Sequence, residues 1–458
     1  MKKFIDDQKI NALLEQGKTA TKGQLEAIIA KSHNLETLSL EEVAALLQCE
    51  DREIWEKVYA TARHIKDSIY GNRVVMFAPL YVSNHCVNGC TYCGYKCGNK
   101  FSRRLLTDEE IQREARIIEN MGHKRIALEA GEDDKNCPID YILHAMDVVY
   151  KTKSENNGSI RRINVNIAAT TVENYRKLKD AGIGTYILFQ ETYHEESYKA
   201  YHPTGPKSDY LYHLTAMDRA MEGGIDDVGI GALFGLYDYK FDVMGLMMHR
   251  DHLEEVFGVG PHTISVPRIR KAEDVAAETF PHSVSDEEFE RLVAVIRLAV
   301  PYTGIILSTR EDVAMRERLI DRGVSQVSSG SKTDVGGYSE ENMVSQFETA
   351  DERPTGEVIH ALLEKGFLPS YCTACYRAGR TGDRFMQVAK SGNIHNLCHP
   401  NAMMTLQEYL EDYADDRLKA LGEKVIAENV DRIPNEKMRE NTVERLAQIK
   451  AGQRDLFF

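Results

Sequence analysis

Between residues 74 and 329 the chain repeats one pattern eight times: a short apolar run, then an amphipathic stretch. The runs are "VVMFAPLYV" (74–82), "RIALEA" (125–130), "INVNIA" (163–168), "TYILFQ" (185–190), "DVGIGALFGL" (227–236), "HTISVPRI" (262–269), "GIILST" (304–309) and "VSQVSS" (324–329). Each has strand length, and stretches between them such as "DEEIQREARIIENMG" and "EEFERLVAVIRLAV" carry apolar residues at helical spacing. Eight strand–helix units in succession predict an α/β fold, a closed parallel (β/α)8 TIM barrel. An open doubly wound sheet is the competing arrangement, but no Gly-x-Gly-x-x-Gly follows the first run.

A barrel of this kind leaves chain at both ends. Residues 1–72 read as a helical extension, with Ser39 as an N-cap ahead of Glu41 and Glu42. The barrel takes residues 73–365. Residues 366–458 form a mainly helical, cysteine-bearing region in which "TLQEYLEDYADDRLKALGEKVIAENV" reads as one long helix. The strongest apolar run is strand length, so no membrane span is expected. The first residues carry acids and no apolar segment, which excludes a secretory signal and points to the cytoplasm. A net charge of −14 argues against nucleic acid as a main partner, since phosphate contacts need clustered Lys and Arg.

Barrel chemistry sits where the strands end. The residues just past the runs are polar and reactive: "GED" (131–133), "ETYH" (191–194), "RIR" (268–270), "REDV" (310–313) and "GSKTDVGGY" (330–338). The first run is followed by "NHCVNGCTYCGY", in which Cys86, Cys90 and Cys93 are spaced C-x3-C-x2-C. Three thiolates leave one iron of an iron–sulfur cluster open, and an open position marks chemistry rather than scaffolding. A zinc site completed by Cys97 or His85 competes with this reading, although zinc ligands usually come as two separated pairs. Nine cysteines, an odd and clustered set, fit a reducing compartment and metal binding better than disulfides. Cys49 and Cys137 stand alone and read as buried small side chains.

The spacing of Cys86, Cys90 and Cys93, with the aromatic Tyr92 before the last of them, resembles the radical S-adenosylmethionine (SAM) superfamily. The resemblance implies a 4Fe–4S cluster whose open iron chelates SAM and whose electron releases a 5′-deoxyadenosyl radical. "EAGED" (129–133) resembles the superfamily's Gly-Gly-Glu turn, with Ala130, Gly131 and Glu132 meeting the SAM amino group. "DVGIGALFGL" resembles its fifth-strand motif, placing Gly229 and Gly231 beside the adenine; close packing of a barrel strand is the alternative.

A second triad, Cys372, Cys375 and Cys398, is spaced C-x2-C-x22-C. His395 or His399 could complete a zinc site there. Two three-cysteine sites in one such chain argue instead for a second, auxiliary 4Fe–4S cluster. The combination resembles the tyrosine lyases of FeFe-hydrogenase maturation, through "CVNGCTYCGY", "FQETY" (189–193), "GPHTISVPR" (260–268), "SSGSKTDVGGY" (328–338) and the C-terminal triad. The barrel motifs are shared with the tyrosine lyases of thiamine synthesis, and the C-terminal triad is not. The resemblance implies cleavage of L-tyrosine to p-cresol and dehydroglycine, then CO and cyanide formation at the auxiliary cluster. It also implies a labile iron there, linked through a cysteine and held by His262. The implied partners are L-tyrosine, SAM and cysteine, an electron donor such as ferredoxin or flavodoxin, and other hydrogenase maturases. A non-catalytic iron–sulfur scaffold is the reading from another class, and the loaded barrel rim counts against it.

Arg268 and Arg310 follow the sixth and seventh runs and are candidates to hold a carboxylate bidentately. A rim ion pair with Glu273 or Glu311 is the plainer role. Glu191, after the fourth run, is a candidate for an amino group or ribose hydroxyls. "GSKTDVGGY" reads as a polar loop closing on substrate, and Cys97 as a bystander.

Overall fold

The computed structural model describes residues 3–276, 279–340, 343–390 and 394–458. Eight parallel strands lie where the apolar runs predict them: β1 (Arg73–Ser83), β2 (Arg125–Ala130), β3 (Arg162–Asn166), β4 (Tyr186–Ile187), β5 (Val228–Gly231), β6 (Thr263–Ser265), β7 (Gly304–Leu307) and β8 (Gln326–Ser328). Each pairs with its successor, and β8 returns to β1 through Val75 and Gln326, closing the barrel. Parallel strands in a barrel are covered on both faces, so they read as continuous apolar runs. Ten of the eleven residues of β1 are buried.

The helices between the strands begin on side-chain caps. Thr107 and Glu110 form a capping box on Asp108–Asn120, and Ser285 and Glu288 form one on Asp286–Ala299. At the N-terminus four helices (Asp7–Gly17, Lys22–His33, Leu40–Leu47 and Arg52–Tyr70) pack on the barrel's outer helices. Ser39 caps the third as its sequence predicts, through the Glu42 amide.

Two features depart from the sequence reading. A ninth strand, β9 (Leu368–Ser370), adds in parallel to the first residues of β1, pairing Arg73 with Leu368 and Val75 with Ser370. It delivers the chain to Cys372 at the barrel's N-terminal mouth, opposite the mouth where β1 runs into Cys86. The expected single helix over 405–430 is instead two, Ile394–Asp412 and Asp416–Val430. Asp415 ends the first run by accepting the Leu418 amide, a new N-cap. The two helices then pack so closely that a Cβ on Gly422 would meet the Leu410 side chain at 2.6 Å. No helix among the described residues is long and apolar enough to cross a membrane.

Candidate functional site

β1 releases the cysteine loop at the C-terminal mouth, and neighbouring elements hold it down. The Arg103 guanidinium donates to the carbonyls of Asn84, Tyr95 and Lys96, each at 2.7 Å, tying the loop's two ends together. The turn after β2 lies against it. The Val87 amide donates to the Glu132 carbonyl at 2.8 Å, and Asn88 Nδ2 to the Glu132 carboxylate at 2.6 Å. A Cβ on Gly131 would stand 2.4 Å from the His85 carbonyl oxygen and 3.0 Å from Cys86 Cβ, so only glycine fits there.

Cys86, Cys90 and Cys93 all face one cavity of about 120 Å³. Burial pushes the Cys93 thiol up to about 11, with Cys86 adding to the rise; burial raises Cys90 as well. Lys207 opposes both shifts. Among the described residues no three His, Cys, Asp or Glu side chains meet closely enough to hold a single metal ion. Three sulfurs that share a cavity without meeting suit a cluster rather than one zinc ion. Cys97 is exposed, and neither it nor His85 lines the cavity, so the zinc reading lacks its fourth ligand.

Tyr92, Ala130, Gly131, Glu132, Glu191 and Arg310, all candidates from the sequence, line the same cavity. Tyr92 shares a hydrogen bond of 2.7 Å with His202 Nε2. Glu191 adopts φ of 69°, an uncommon value for a non-glycine residue, and its carboxylate accepts from Lys207 Nζ at 2.6 Å. Burial works against the Lys207 ammonium, but Glu191 and Cys90 outweigh it and hold its pKa above the usual value.

Three expected residues lie outside this cavity. Gly229 and Gly231 serve strand packing: a Cβ would meet Thr263 Oγ1 at 2.5 Å on the first, and Phe189 and the Ser265 carbonyl at 2.8 Å on the second. Leu233, two residues on, is the one that reaches the cavity. Arg268 makes the plainer ion pair. It is bidentate to Glu311, donates to Asp286 at 3.0 Å, and does not line this cavity.

Beneath the upper cavity lies an interior one of about 90 Å³, walled by residues such as Phe77, Ala127, Ile187 and Ile306. Ser331 and Thr333 of the "GSKTDVGGY" loop close it, and the segment beyond brings Gln346 and Phe347 to both cavities.

At the opposite mouth, Cys372, Cys375, Cys398 and His262 face a third cavity of about 40 Å³. It shares no lining residue with the interior one. His262 Nε2 lies 3.1 Å from the Tyr376 hydroxyl, while its Nδ1 has no hydrogen-bond partner and stands 3.5 Å from Asp227. Burial lowers the His262 pKa, leaving a neutral imidazole suited to a metal. A hydrogen bond between Cys375 and Cys398 depresses the first thiol, helped by Arg380 and Arg73, and raises the second, which burial raises further against the opposing effect of Arg73. Arg73 and Arg125 also line the cavity, each with an unpartnered Nε. Buried guanidinium groups with no carboxylate partner among the described residues, beside three thiols, fit an anionic group such as a thiolate-ligated cluster. His399 turns its Nε2 to the Asn429 carbonyl at 3.3 Å and does not line the cavity. The side chain of His395 lies outside the described residues.

Several of these residues carry no sequence signal. Lys207, Asn88, Arg73 and Arg125 are ordinary polar residues until the fold assembles them. Tyr376 was findable, since it directly follows a triad cysteine.

A parallel barrel with a three-cysteine loop after its first strand defines a radical SAM protein, and residues 80–247 match the radical SAM superfamily. Residues 265–368 match the Biotin and Thiamin Synthesis associated domain. A crystal structure of HydG, a maturase of the FeFe-hydrogenase, has a TM-score of 0.98 and 59% identity, covering 99% of this chain and 100% of that one. HydG from Carboxydothermus hydrogenoformans has a TM-score of 0.84 at 40% identity, covering 96% and 97%. A 2-iminoacetate synthase of Salmonella typhimurium strain LT2 is 31% identical over 350 residues, 76% of this chain and 90% of its own length. The chain belongs to the HydG family of FeFe-hydrogenase maturases.

Proposed function

We propose that the protein is a radical SAM lyase that cleaves L-tyrosine to p-cresol and dehydroglycine and turns the latter into CO and cyanide at an auxiliary cluster. The product would be an iron–carbonyl–cyanide unit for the hydrogenase cofactor. The observation that carries this reading is a pair of three-cysteine cavities at opposite mouths of one barrel, with an interior space between. A 2-iminoacetate synthase takes its name from the same two-carbon product, but its alignment leaves about a quarter of this chain unmatched, the 76% covered being the rest.

Bound at the upper site, a 4Fe–4S cluster with SAM supplies a 5′-deoxyadenosyl radical by one-electron cleavage of the sulfonium bond. In this reading Cys86, Cys90 and Cys93 hold that cluster. Glu132 and the backbone of Ala130 and Gly131 receive the SAM amino group, Lys207 its carboxylate, and Glu191 the ribose hydroxyls. Arg310 takes the carboxylate of tyrosine. The enclosed barrel keeps water from the reactive fragment. Cys372, Cys375 and Cys398 hold the auxiliary 4Fe–4S cluster, and His262 a labile iron bridged by free cysteine. Arg73 and Arg125 offset the negative charge gathered there. A ferredoxin or flavodoxin as electron donor and the other hydrogenase maturases complete the partners, in the cytoplasm.

The test is anaerobic turnover of the reconstituted protein with tyrosine, SAM and a reductant. Wild type should release p-cresol and CO. Cys86→Ala should release neither and should not cleave SAM. Full SAM turnover in that variant would overturn the assignment.

A further inference from the structure

Glu129 is the last-but-one residue of β2, and Arg310 follows β7 by three residues. Both line the upper cavity and the interior one. Asn166, Phe189, Gln346 and Phe347 are the other residues common to the two, so these six form the wall where the cavities join. Glu129 and Arg310 have opposite charges, yet neither takes part in an ion pair among the described residues. Glu191 and Lys207, which line the upper cavity alone, are instead paired with each other at 2.6 Å.

A half-buried carboxyl group and a half-buried guanidinium that face one space without joining leave two ionisable groups to be met from outside. An amino-acid head group meets both. A guanidinium fork matches a carboxylate, and a carboxylate matches an ammonium. The apolar interior cavity beside the junction suits an aromatic side chain, with Phe77, Ala127, Ile187 and Ile306 in its wall.

We propose that Glu129 binds the amino end of the substrate opposite Arg310, and that its carboxylate takes one proton from the substrate's ammonium group. This rests on the tyrosine-lyase reading and adds a catalytic residue to it. In the step, R–NH3+ and the Glu129 carboxylate become R–NH2 and the Glu129 carboxylic acid. One N–H bond breaks, one O–H bond forms, and no electron is transferred. The neutral amine has the lone pair that stabilises a nitrogen-centred radical, which the ammonium lacks. Deprotonation therefore has to precede any loss of a hydrogen atom from nitrogen. The electrostatics agree with this geometry. Burial pushes Glu129 up to about 8, opposed by a hydrogen bond from Asn166 and by Arg310. Tyr81 from β1 and Tyr95 from the cysteine loop also face it, and neither carries charge near neutral pH.

The experiment is equilibrium titration of reconstituted holoenzyme with three ligands: L-tyrosine, tyramine, which lacks the carboxylate, and 3-(4-hydroxyphenyl)propanoate, which lacks the amine. Glu129→Gln should weaken tyrosine and tyramine by about tenfold or more and leave the propanoate unchanged. Arg310→Gln should weaken tyrosine and the propanoate and leave tyramine unchanged. In wild type, affinity for tyrosine should rise with pH through the Glu129 titration, while affinity for the propanoate should not. Wild-type binding of tyramine by Glu129→Gln, or equal loss of all three ligands, would overturn the proposal. So would a flat pH dependence for tyrosine in wild type, which needs no variant to fold. Wild type that fails to bind tyrosine at all would instead refute the tyrosine reading beneath it.

Discussion

The Tyr376 hydroxyl stands 3.1 Å from His262 Nε2, joining the residue after the second triad's Cys375 to the start of β6. One ring nitrogen is thereby engaged with a tyrosine, and the other is left beside Asp227 without a hydrogen bond. A metal-bound imidazole is commonly oriented by such a partner on its second nitrogen. If His262 holds the labile iron, His262→Ala should keep p-cresol release and lower both iron content and CO yield. Tyr376→Phe should do the same more mildly. Normal iron and CO in His262→Ala would make it a packing residue.

Gly131 should be as intolerant of change as Cys86, which it lies against. A methyl group there would collide with the His85 carbonyl, which is backbone and cannot swing aside. Overpacking of this kind costs about 1–3 kcal/mol, and here the strain falls on the cluster loop. Gly131→Ala should lose iron from the upper site while keeping iron at the lower one. Iron analysis with spectra of the two clusters checks this.

Arg268 was a substrate candidate in the sequence, and the structure gives it a stabilising role. Glu311 beneath it is 1% exposed and would keep only Arg270 if Arg268 were removed. Arg268→Ala should destabilise by about 2–3 kcal/mol, read as a lower Tm, with an unchanged KM for tyrosine. A raised KM at unchanged Tm would return it to the substrate site.

Asp242 sets a pH dependence. Its carboxylate accepts from Thr192 Oγ1 at 2.9 Å and from the Tyr193 amide at 2.8 Å, pinning the turn that carries Glu191. Burial raises its pKa from 3.8 to about 7. The unfolded chain releases this proton first as pH rises, and the folded chain holds it to the higher value. Over that window the folded state binds more protons, so rising pH removes stability, and the loss is complete above about 7. The Tm of Asp242→Asn relative to wild type should therefore rise with pH across the window and then level off.

The barrel was legible because its strands are covered on both faces and so read as unbroken apolar runs; β2 spans the same residues, 125–130, that its run predicts. β9 was not, since three residues with Pro369 at their centre carry no period. The helix break at Asp415 was hidden in a stretch where acids suit both a helix surface and a cap. The two cysteine triads were legible as candidate sites because each stands out by its spacing, and each faces one cavity. Which charged groups face the cavities was legible only in part, since Glu132, Glu191 and Arg310 were candidates and so was Arg268. Arg268 and Arg310 look alike in sequence, and only the fold pairs the first with Glu311 and leaves the second open to the cavities. Glu129 and Lys207 likewise became candidates only through neighbours distant in the chain.

Two clusters with separate tasks are separable in a Cys372→Ala/Cys375→Ala variant, assayed for p-cresol and CO in one anaerobic turnover with tyrosine, SAM and reductant. The lower cavity shares no wall with the upper one, so radical formation should survive. The variant should release p-cresol at a near-normal rate and form no CO. CO formed at the wild-type rate would contradict this division of tasks, leaving the second triad without a catalytic role.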